Sequence, residues 1–519
     1  MKRYLLRNLI TPLEAEPDLS GYVSRKLQLN PQRIASIYIS RRALDARKRN
    51  ALKYNFTLEL TFISNPPKHP DLIELVTKPD LPLVTMNISS LHPFIIGAGP
   101  AGLFAALALV EKGFSPWIFD RGEQIKDRKT KINDFWKSGT LDPESNMQFG
   151  EGGAGTFSDG KLTARSRDKV TEIIYNRLVE FGADPVIQYD ALPHLGTDKL
   201  ELIITKIRQF LESKGCRFFW NHRLNDITIQ DGRITSIKIN NDQYEPEIVI
   251  LGLGNTARDT FSLLHSKSIA LENKDFAVGF RIEHSQDYIN STFYGDKTDF
   301  FLTGPATYRL VRNVQDRGIF SFCMCPGGQV VNSASEPGGV VTNGMSNSKR
   351  SSKFANSAIV AGVSPADYGT ELFAGMKFQQ NIEIKAFRKG FSAPSQSVSD
   401  FVNGTKSSVM QKTTFLPGTY TSSISDLFPS KLSQALKIAL SHWEKQYPGF
   451  VKEGTLIAPE TRTSSPLRIL RDNSTRSSIN VANLFPIGEG AGYAGGIISS
   501  AADGWKTGSS FLLRTSSDI

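Results

Sequence analysis

One stretch constrains this chain more than any other: HPFIIGAGPAGLFAALALVEKGFSPWIFDRG, which begins at His92. The short apolar FIIG reads as a buried strand, Ala101 to Glu111 as a helix rich in alanine and leucine, and PWIFD as a second buried strand. Gly97, Gly99 and Gly102 set a G-x-G-x-x-G spacing in the turn between strand and helix. In that spacing the first glycine permits the tight turn, the second lets a pyrophosphate approach the main chain, and the third lets helix and strand pack closely. Pro100 and Ala101 open the helix, whose free N–H groups and positive dipole end suit phosphates. Asp120, followed by Arg121, ends the second strand 18 residues after Gly102, where a carboxylate can accept hydrogen bonds from ribose hydroxyls. Strand, turn, helix, strand and terminal acid in one register point to a bound dinucleotide.

The far end of the chain bears on which one. NLFPIGEGAGYAGGIISSAADGWKTG runs from a strand, Asn483 to Ile487, through Gly488 and Glu489 into a glycine-rich turn and a small-residue helix opened by Gly495, Gly496 and Ile497. Chains that bind FAD across a Rossmann-type domain often return with such a strand, the acid meeting the ribityl and pyrophosphate region and the helix N-terminus the pyrimidine edge of the flavin. A nicotinamide enzyme needs no such second element. A third strand-turn-helix, IVILGLGNTARDTF, places Gly252, Gly254 and Ala257 in a G-x-G-x-x-A register. Alone it would serve NAD(P)H, but no full strand-helix-strand unit follows, so it is expected to close the FAD domain. NAD(P)H then stays open as an electron donor without a dedicated domain.

IGAGPAGLFAAL, SNMQFGEGGAGTFSDGKL, PHLGTDKL, GNTARDTF, FAVGFRIEH, FSFCMCPGG, SEPGGVVTNGMS, ETRTSSPLRI and IGEGAGYAGGIISSAADG together resemble bacterial FAD-dependent oxidoreductases of the glutathione-reductase-like superfamily, most closely a subfamily of FAD-dependent dehydrogenases, from about residue 34 onward. Glutamate is commoner there at the position of Asp120; the shorter carboxylate should still reach a ribose. The resemblance implies noncovalent FAD. It also implies a role for FGEGGAGTFSDGKL, Phe149 to Leu162, with five glycines in fourteen residues. Gly152, Gly153, Ala154, Gly155 and Thr156 would present bare backbone to the isoalloxazine ring, with Lys161 near the pyrimidine edge favouring negative charge on the ring.

The expected architecture is α/β: a Rossmann-type FAD-binding domain in two parts, 91–275 and 471–519, an inserted mixed α+β substrate domain, 276–470, and a small basic α+β domain, 1–65, joined by a linker, 66–90, that holds five prolines between Ser64 and Val84. In the first 65 residues a helix is expected over Leu19 to Leu27, alternating segments at IASIYIS and NFTLELTF, and a basic helix from Ala43 to Leu52. The serine-rich stretch Ser346 to Ser352 suggests at most a mobile loop.

Net charge is +10, and the first ninety residues carry 14 Lys+Arg against 8 Asp+Glu. That bias raises a nucleic-acid partner as an alternative: an RNA-binding flavoprotein docking RNA on its N-terminal domain. A solvated surface is the plainer explanation. No apolar run is long enough to span a bilayer, the N-terminus fits neither signal peptide nor anchor, and three cysteines suggest a reducing cytoplasm. No metal site is expected. Cys323 and Cys325 tempt a redox reading, yet a C-x-C disulfide closes a small strained ring, so buried small residues or a substrate-facing loop are expected.

Candidate catalytic residues are Lys161, His284 and Arg462, among polar groups that also include Arg281, Glu283, Asn343, Asn356, Glu460 and Ser464. The expected function is hydride or electron transfer through flavin N5 to or from a small molecule held between flavin and the 276–467 region. Sequence leaves substrate, donor and oligomeric state open.

Overall fold

Phe94–Ile96 is buried at all three positions, as a continuous apolar run at the centre of a parallel sheet must be. The computed structural model, which describes residues 2–14, 18–75, 85–163 and 168–513, places it third in a five-stranded sheet. The order is Leu484–Pro486, Val249–Leu251, Phe94–Ile96, Trp117–Phe119, Arg217–Phe219, every pair parallel. This is a Rossmann-type sheet, and the glycine turn lies at the carboxyl end of its middle strand.

The helix Pro100–Glu111 follows, with proline in its first turn and Ala101 through Leu109 all buried. A helix apolar all round must be covered on more than one side. One cover is the sheet. The other is the helix Ile497–Gly508, which crosses so closely that a Cβ on Gly504 would lie 1.9 Å from Ala101 O and one on Gly508 2.4 Å from Ala105 O.

Residues 276–460 form a seven-stranded sheet in the order Val311–Val314, Arg317–Cys325, Phe354–Val363, Phe276–Ser285, Thr455–Glu460, Ala393–Ser397, Thr419–Thr421. Only the last pair is parallel. Phe276–Ser285 is buried at its first nine positions, and Phe280, Ile282 and Ile359 join Leu436 and Trp443 in the largest core cluster.

Near the N-terminus Ile34–Asp45, Lys53–Phe62, Tyr4–Thr11 and Leu72–Glu74 make an antiparallel sheet. The helix Leu19–Leu27 is capped by Asp18, whose side chain accepts from Gly21 N at 3.2 Å. The basic helix expected over Ala43 to Leu52 does not form. Strand Ile34–Asp45 runs through Arg41 and Arg42 and pairs with Lys53–Phe62 as far as Asp45 opposite Lys53, so a helix from Ala43 would forfeit that end of the ladder. The chain turns back through Asn50 at φ 60°, a left-handed position that asparagine tolerates. Leu52 is 8% exposed and enters the largest core cluster.

The stretch 66–90 includes two short strands: Leu72–Glu74 extends the N-terminal sheet, and Met86–Ile88 pairs with Phe511–Leu513. The rest of the proline-rich segment, 76–84, lies outside the described residues. The serine-rich segment 346–352 is pinned: Ser346 and Arg350 both bond Asp159, and Ser348 bonds Asp198 at 2.6 Å.

Candidate functional site

Four glycine-bearing turns meet at the carboxyl end of the parallel sheet. A Cβ on Gly97, whose φ is 105°, would lie 2.2 Å from Gly252 O, and one on Gly102 2.0 Å from Gly97 O, so both positions exclude any other residue. Gly152 N donates to Ala98 O at 2.9 Å, which lays the 150–157 loop along the first turn. There a Cβ on Gly153 would sit 3.2 Å from Gly99 Cα, and one on Gly155 2.9 Å from Ile497 Cγ1. A Cβ on Gly488 would lie 2.7 Å from that of Ala101, and one on Gly490 2.2 Å from Gly254 O. The structure therefore brings together the segments of Gly97, Gly99, Pro100, Ala101, Gly102, Gly152 to Thr156, Gly252, Gly254, Gly488, Glu489 and Gly495 to Ile497.

Some of these glycines face inward on protein and others do not. A Cβ added at Gly254 or Gly495 would meet no protein atom within 4 Å, and one at Gly99 only Gly153 Cα at 3.8 Å. Two helix N-termini, at Pro100 and Ile497, open beside these bare positions and supply first-turn N–H groups without intrahelical partners. Glu489 is half-buried and takes a hydrogen bond from Asn255 Nδ2 at 2.8 Å; loss of solvent around it pushes its carboxyl up to about 7, against the pull of Asn255 and Lys274. Thr156 Oγ1 and Arg128 Nη2 are buried with no hydrogen-bond partner among the described residues. Main-chain amides, a hydroxyl, a guanidinium N–H and a carboxyl around bare backbone match the needs of a diphosphate joined to a polyol, so the donor set fits FAD.

Asp120 has a second task that sequence did not reveal. Its Oδ2 accepts from Ala98 N at 2.8 Å and its Oδ1 from Gly122 N at 2.9 Å, so it braces the glycine turn while its remaining lone pairs stay available to a ribose. Arg121 is committed to protein: it grips Glu144 and Asp259 and its guanidinium lies 4.3 Å from the Phe149 ring centre.

The three candidate catalytic residues fall in three different places. Lys161 reaches from the glycine loop to the seven-stranded sheet, where Nζ bonds Met324 O and lies 3.1 Å from Asp159. Burial works to lower its pKa, and the attraction of Cys325, Cys323 and Asp159 outweighs it and holds the ammonium above its usual range. His284 lies on the face of strand Phe276–Ser285 opposite to Arg281. Its ring stacks on Tyr288 and Phe450, its Nε2 meets Phe450 O at 2.8 Å, and burial depresses it to about 4. It is a neutral core histidine set apart from Lys161. Arg462 joins a buried cluster: its Nη2 and Arg258 Nη1 lie 3.0 and 2.9 Å from Glu383 Oε2, and its Nη1 donates to Ser335. Burial raises Glu383, and Arg462 and Arg258 outweigh it and bring it down to about 2. The cluster touches the cradle through Asn255, whose Nδ2 lies 3.5 Å from Arg462 O.

Sequence reasoning missed Arg258, Glu336, Glu383 and Arg128, and named Arg281, Glu283 and Glu460 without their partners. Arg258, Glu336 and Glu383 come together across 125 residues, with Arg258 and Glu336 inside separate motifs and Glu383 in none. Arg128 is fully buried; its Nε bonds Asn146 O at 2.8 Å and its Nη1 bonds Glu151 O and Gly153 O at 2.7 and 3.0 Å, so it shapes the glycine loop from behind. No signal marks it in a lysine-rich helix. Arg281, also fully buried, grips Glu460 with both Nε and Nη2, at 2.8 and 2.7 Å. Glu283 takes bonds from Thr414, and burial raises it to about 7.

Residues 275–463 match the family described as FAD-dependent protein, C-terminal domain-like. Residues 2–61 match a domain of unknown function. Over 507 residues the chain is 38% identical to an uncharacterized protein of Clostridium beijerinckii, covering 94% of each, and it belongs to the same family as that protein. Among solved structures, CtdE in complex with FAD matches at 11% identity and a TM-score of 0.29 over 80% of this chain and 82% of that one. A geranylgeranyl bacteriochlorophyll reductase-like protein of Thermoplasma acidophilum matches at 12% identity and 0.33, over 80% and 76%. Likeness this slight assigns no activity.

Proposed function

We propose that the chain is an FAD-dependent oxidoreductase that binds FAD noncovalently at the meeting of the four glycine turns and passes a hydride or electrons between it and a small molecule. The observation that carries this reading is the pair of helix N-termini at Pro100 and Ile497, opening beside bare glycine backbone and the half-buried Glu489. The match of residues 275–463 to FAD-dependent proteins supports it.

FAD, when bound, supplies hydride and single-electron transfer at its ring. The chain's own residues hold and shelter it. Amides of the first turns at Pro100 and Ile497 offer donors to the diphosphate, Asp120 stiffens the turn that presents the first set, and Glu489 offers a carboxyl to hydroxyls. The backbone of Gly152 to Gly155 keeps side chains away from a flat ligand. Lys161, tied to Asp159 and Met324 O, brings a fixed positive charge to the junction of glycine loop and seven-stranded sheet, where a small-molecule substrate would sit.

The RNA alternative gains no support. Arg42 pairs with Asp190 and Arg47 with Asp45, so part of the basic run is spent on partners within the chain.

A visible absorption spectrum of the purified full-length protein tests the proposal, followed by anaerobic titration with NADH and NADPH. A flavin band bleached by one of them names the donor. Protein that is colourless and takes up no added FAD overturns the reading.

A further inference from the structure

Strand Arg317–Cys325 breaks register against Phe354–Val363 between Phe322 and Cys325, so Cys323 and Met324 bulge out of the sheet. Bulges of this kind re-aim side chains and cluster near active sites. Cys323 takes φ 45°, a left-handed conformation that is strained for a side chain of this type. Two cations, one buried and one half-buried, hold the bulge by its main chain: Arg281 Nη1 donates to Cys323 O at 2.8 Å, and Lys161 Nζ to Met324 O. The surroundings are pared down to admit sulfur. A Cβ on Gly344 would lie 2.9 Å from Cys325 Sγ, and one on Gly328 3.1 Å from Cys325 Cβ.

The bulge sets the two sulfurs side by side. The Cys325 thiol turns back on the bulge and donates to Cys323 O at 3.2 Å, and Lys161 Nζ is 4.0 Å from Cys325 Sγ. Cys325 is fully buried, whereas Cys323 is partly exposed. The pair is therefore asymmetric, with Cys323 the more exposed residue of the two.

The charges around them do not cancel without a thiolate. The cations are Lys161, Arg281 and Arg350; the carboxylates paired with them are Asp159, which bonds Lys161 and Arg350, and Glu460, which bonds Arg281. His194 and Tyr308 also face the group; burial leads the shifts that keep the first neutral and push the second above its usual range. One positive charge is left over, which favours a negative charge on the sulfur beside it. Donation from the Cys325 thiol, with Lys161 and Arg281 adding to it against burial, holds Cys323 well below the usual thiol range, while its neighbour holds Cys325 well above.

We propose that Cys323 and Cys325 form a dithiol–disulfide exchange site for a low-molecular-weight organic disulfide, with Cys323 attacking and Cys325 resolving. The Cys323 thiolate bonds one sulfur of the disulfide RSSR as the S–S bond breaks, and one RS⁻ leaves. Cys325 sulfur then bonds Cys323 Sγ, its proton leaving with the second sulfur as RSH. The disulfide is reduced to two thiols and the protein dithiol oxidised by the same two electrons. The strain of a C-x-C ring fits this use, because strained disulfides are the labile, exchangeable ones. The step draws on no flavin chemistry and stands apart from the proposed cofactor.

The test treats full-length protein, as purified, with oxidised glutathione, and follows the tryptic peptide Gly318–Lys349, which carries both cysteines, by mass spectrometry. The expected product has lost two hydrogens and released two equivalents of glutathione. C325S should stop at a glutathione adduct on Cys323, C323S should not react, and K161M should slow the first step several-fold. Cys323 should alkylate at neutral pH roughly tenfold or more faster than a free cysteine, with an inflection below ~8.5. Buried Cys216, raised to about 12 by burial, serves as the unreactive reference. Adducts on C325S confined to Cys216, no intramolecular disulfide in the wild type, or an ordinary inflection would each overturn the proposal; the wild-type rate profile decides the matter even if a variant fails to fold. Colourless protein that still forms the disulfide would sink the flavin reading alone, and yellow protein with inert cysteines would sink this one alone.

Discussion

Glu489, half-buried, and Glu383, fully buried, are carboxyls held one by an amide and the other by two guanidinium groups, and they respond to pH in opposite senses. Glu489 is raised from 4.5 to about 7, so between those values the folded protein binds the extra proton and stability falls as pH rises. The E489Q variant has no proton to lose. Its stability relative to wild type should climb by about 2–3 kcal/mol from pH 4.5 to above 7, read by urea denaturation at each pH. Glu283 drifts in the same direction and His284, depressed to about 4, in the opposite one; both cancel in the comparison. Replacing Glu383 by alanine strands Arg258 and Arg462 in the interior and should cost about 3–5 kcal/mol by the same measurement. Glu489 was legible in the sequence because it follows a glycine at the end of a buried strand. Glu383 was not, since nothing local to a helix of ordinary composition tells that two distant arginines converge on it.

Glycines divide by what an added methyl would strike, and the division gives paired predictions for the elements they sit in. At Gly504, in the helix Ile497–Gly508, it would strike Ala101 O of the neighbouring helix, so G504A should force the two helices apart and destabilise by about 1–3 kcal/mol. At Gly495 it meets nothing within 4 Å, so G495A should leave the melting temperature nearly unchanged while lowering the FAD retained after gel filtration. The parallel strands and their helices were readable because continuous apolar runs and glycine spacing are local signals. The segment Ala43 to Leu52 was misread because charge at helical spacing says nothing of pairing, and here a cross-strand ladder and the Asn50 turn prevail.

For the molecule as a whole, Leu52 shows how the N-terminal sheet is attached. It is buried in the same core cluster as Phe280 and Trp443, and Asn50 bonds Tyr294 O through its N–H at 2.8 Å and Lys297 N through its Oδ1 at 2.9 Å. L52A should lower stability by about 2–4 kcal/mol, whereas neutralising Arg47, an exposed partner of Asp45, should leave it nearly unchanged. Differential scanning calorimetry distinguishes the two. The general layout, a split α/β unit with an inserted sheet, could be read from motif order along the chain. How the parts lock together could not, because anchors such as Leu52 look like any other apolar residue until their sockets are known.

Val249–Leu251, beside the central strand Phe94–Ile96 of the parallel sheet, waits for its other neighbour, Leu484–Pro486, which is more than two hundred residues further along. During synthesis an intervening sheet must be produced, and held out of the way, before that neighbour leaves the ribosome. Docking of the late strand buries an otherwise open hydrophobic edge, so nascent chains halted before it should be ready clients for chaperones.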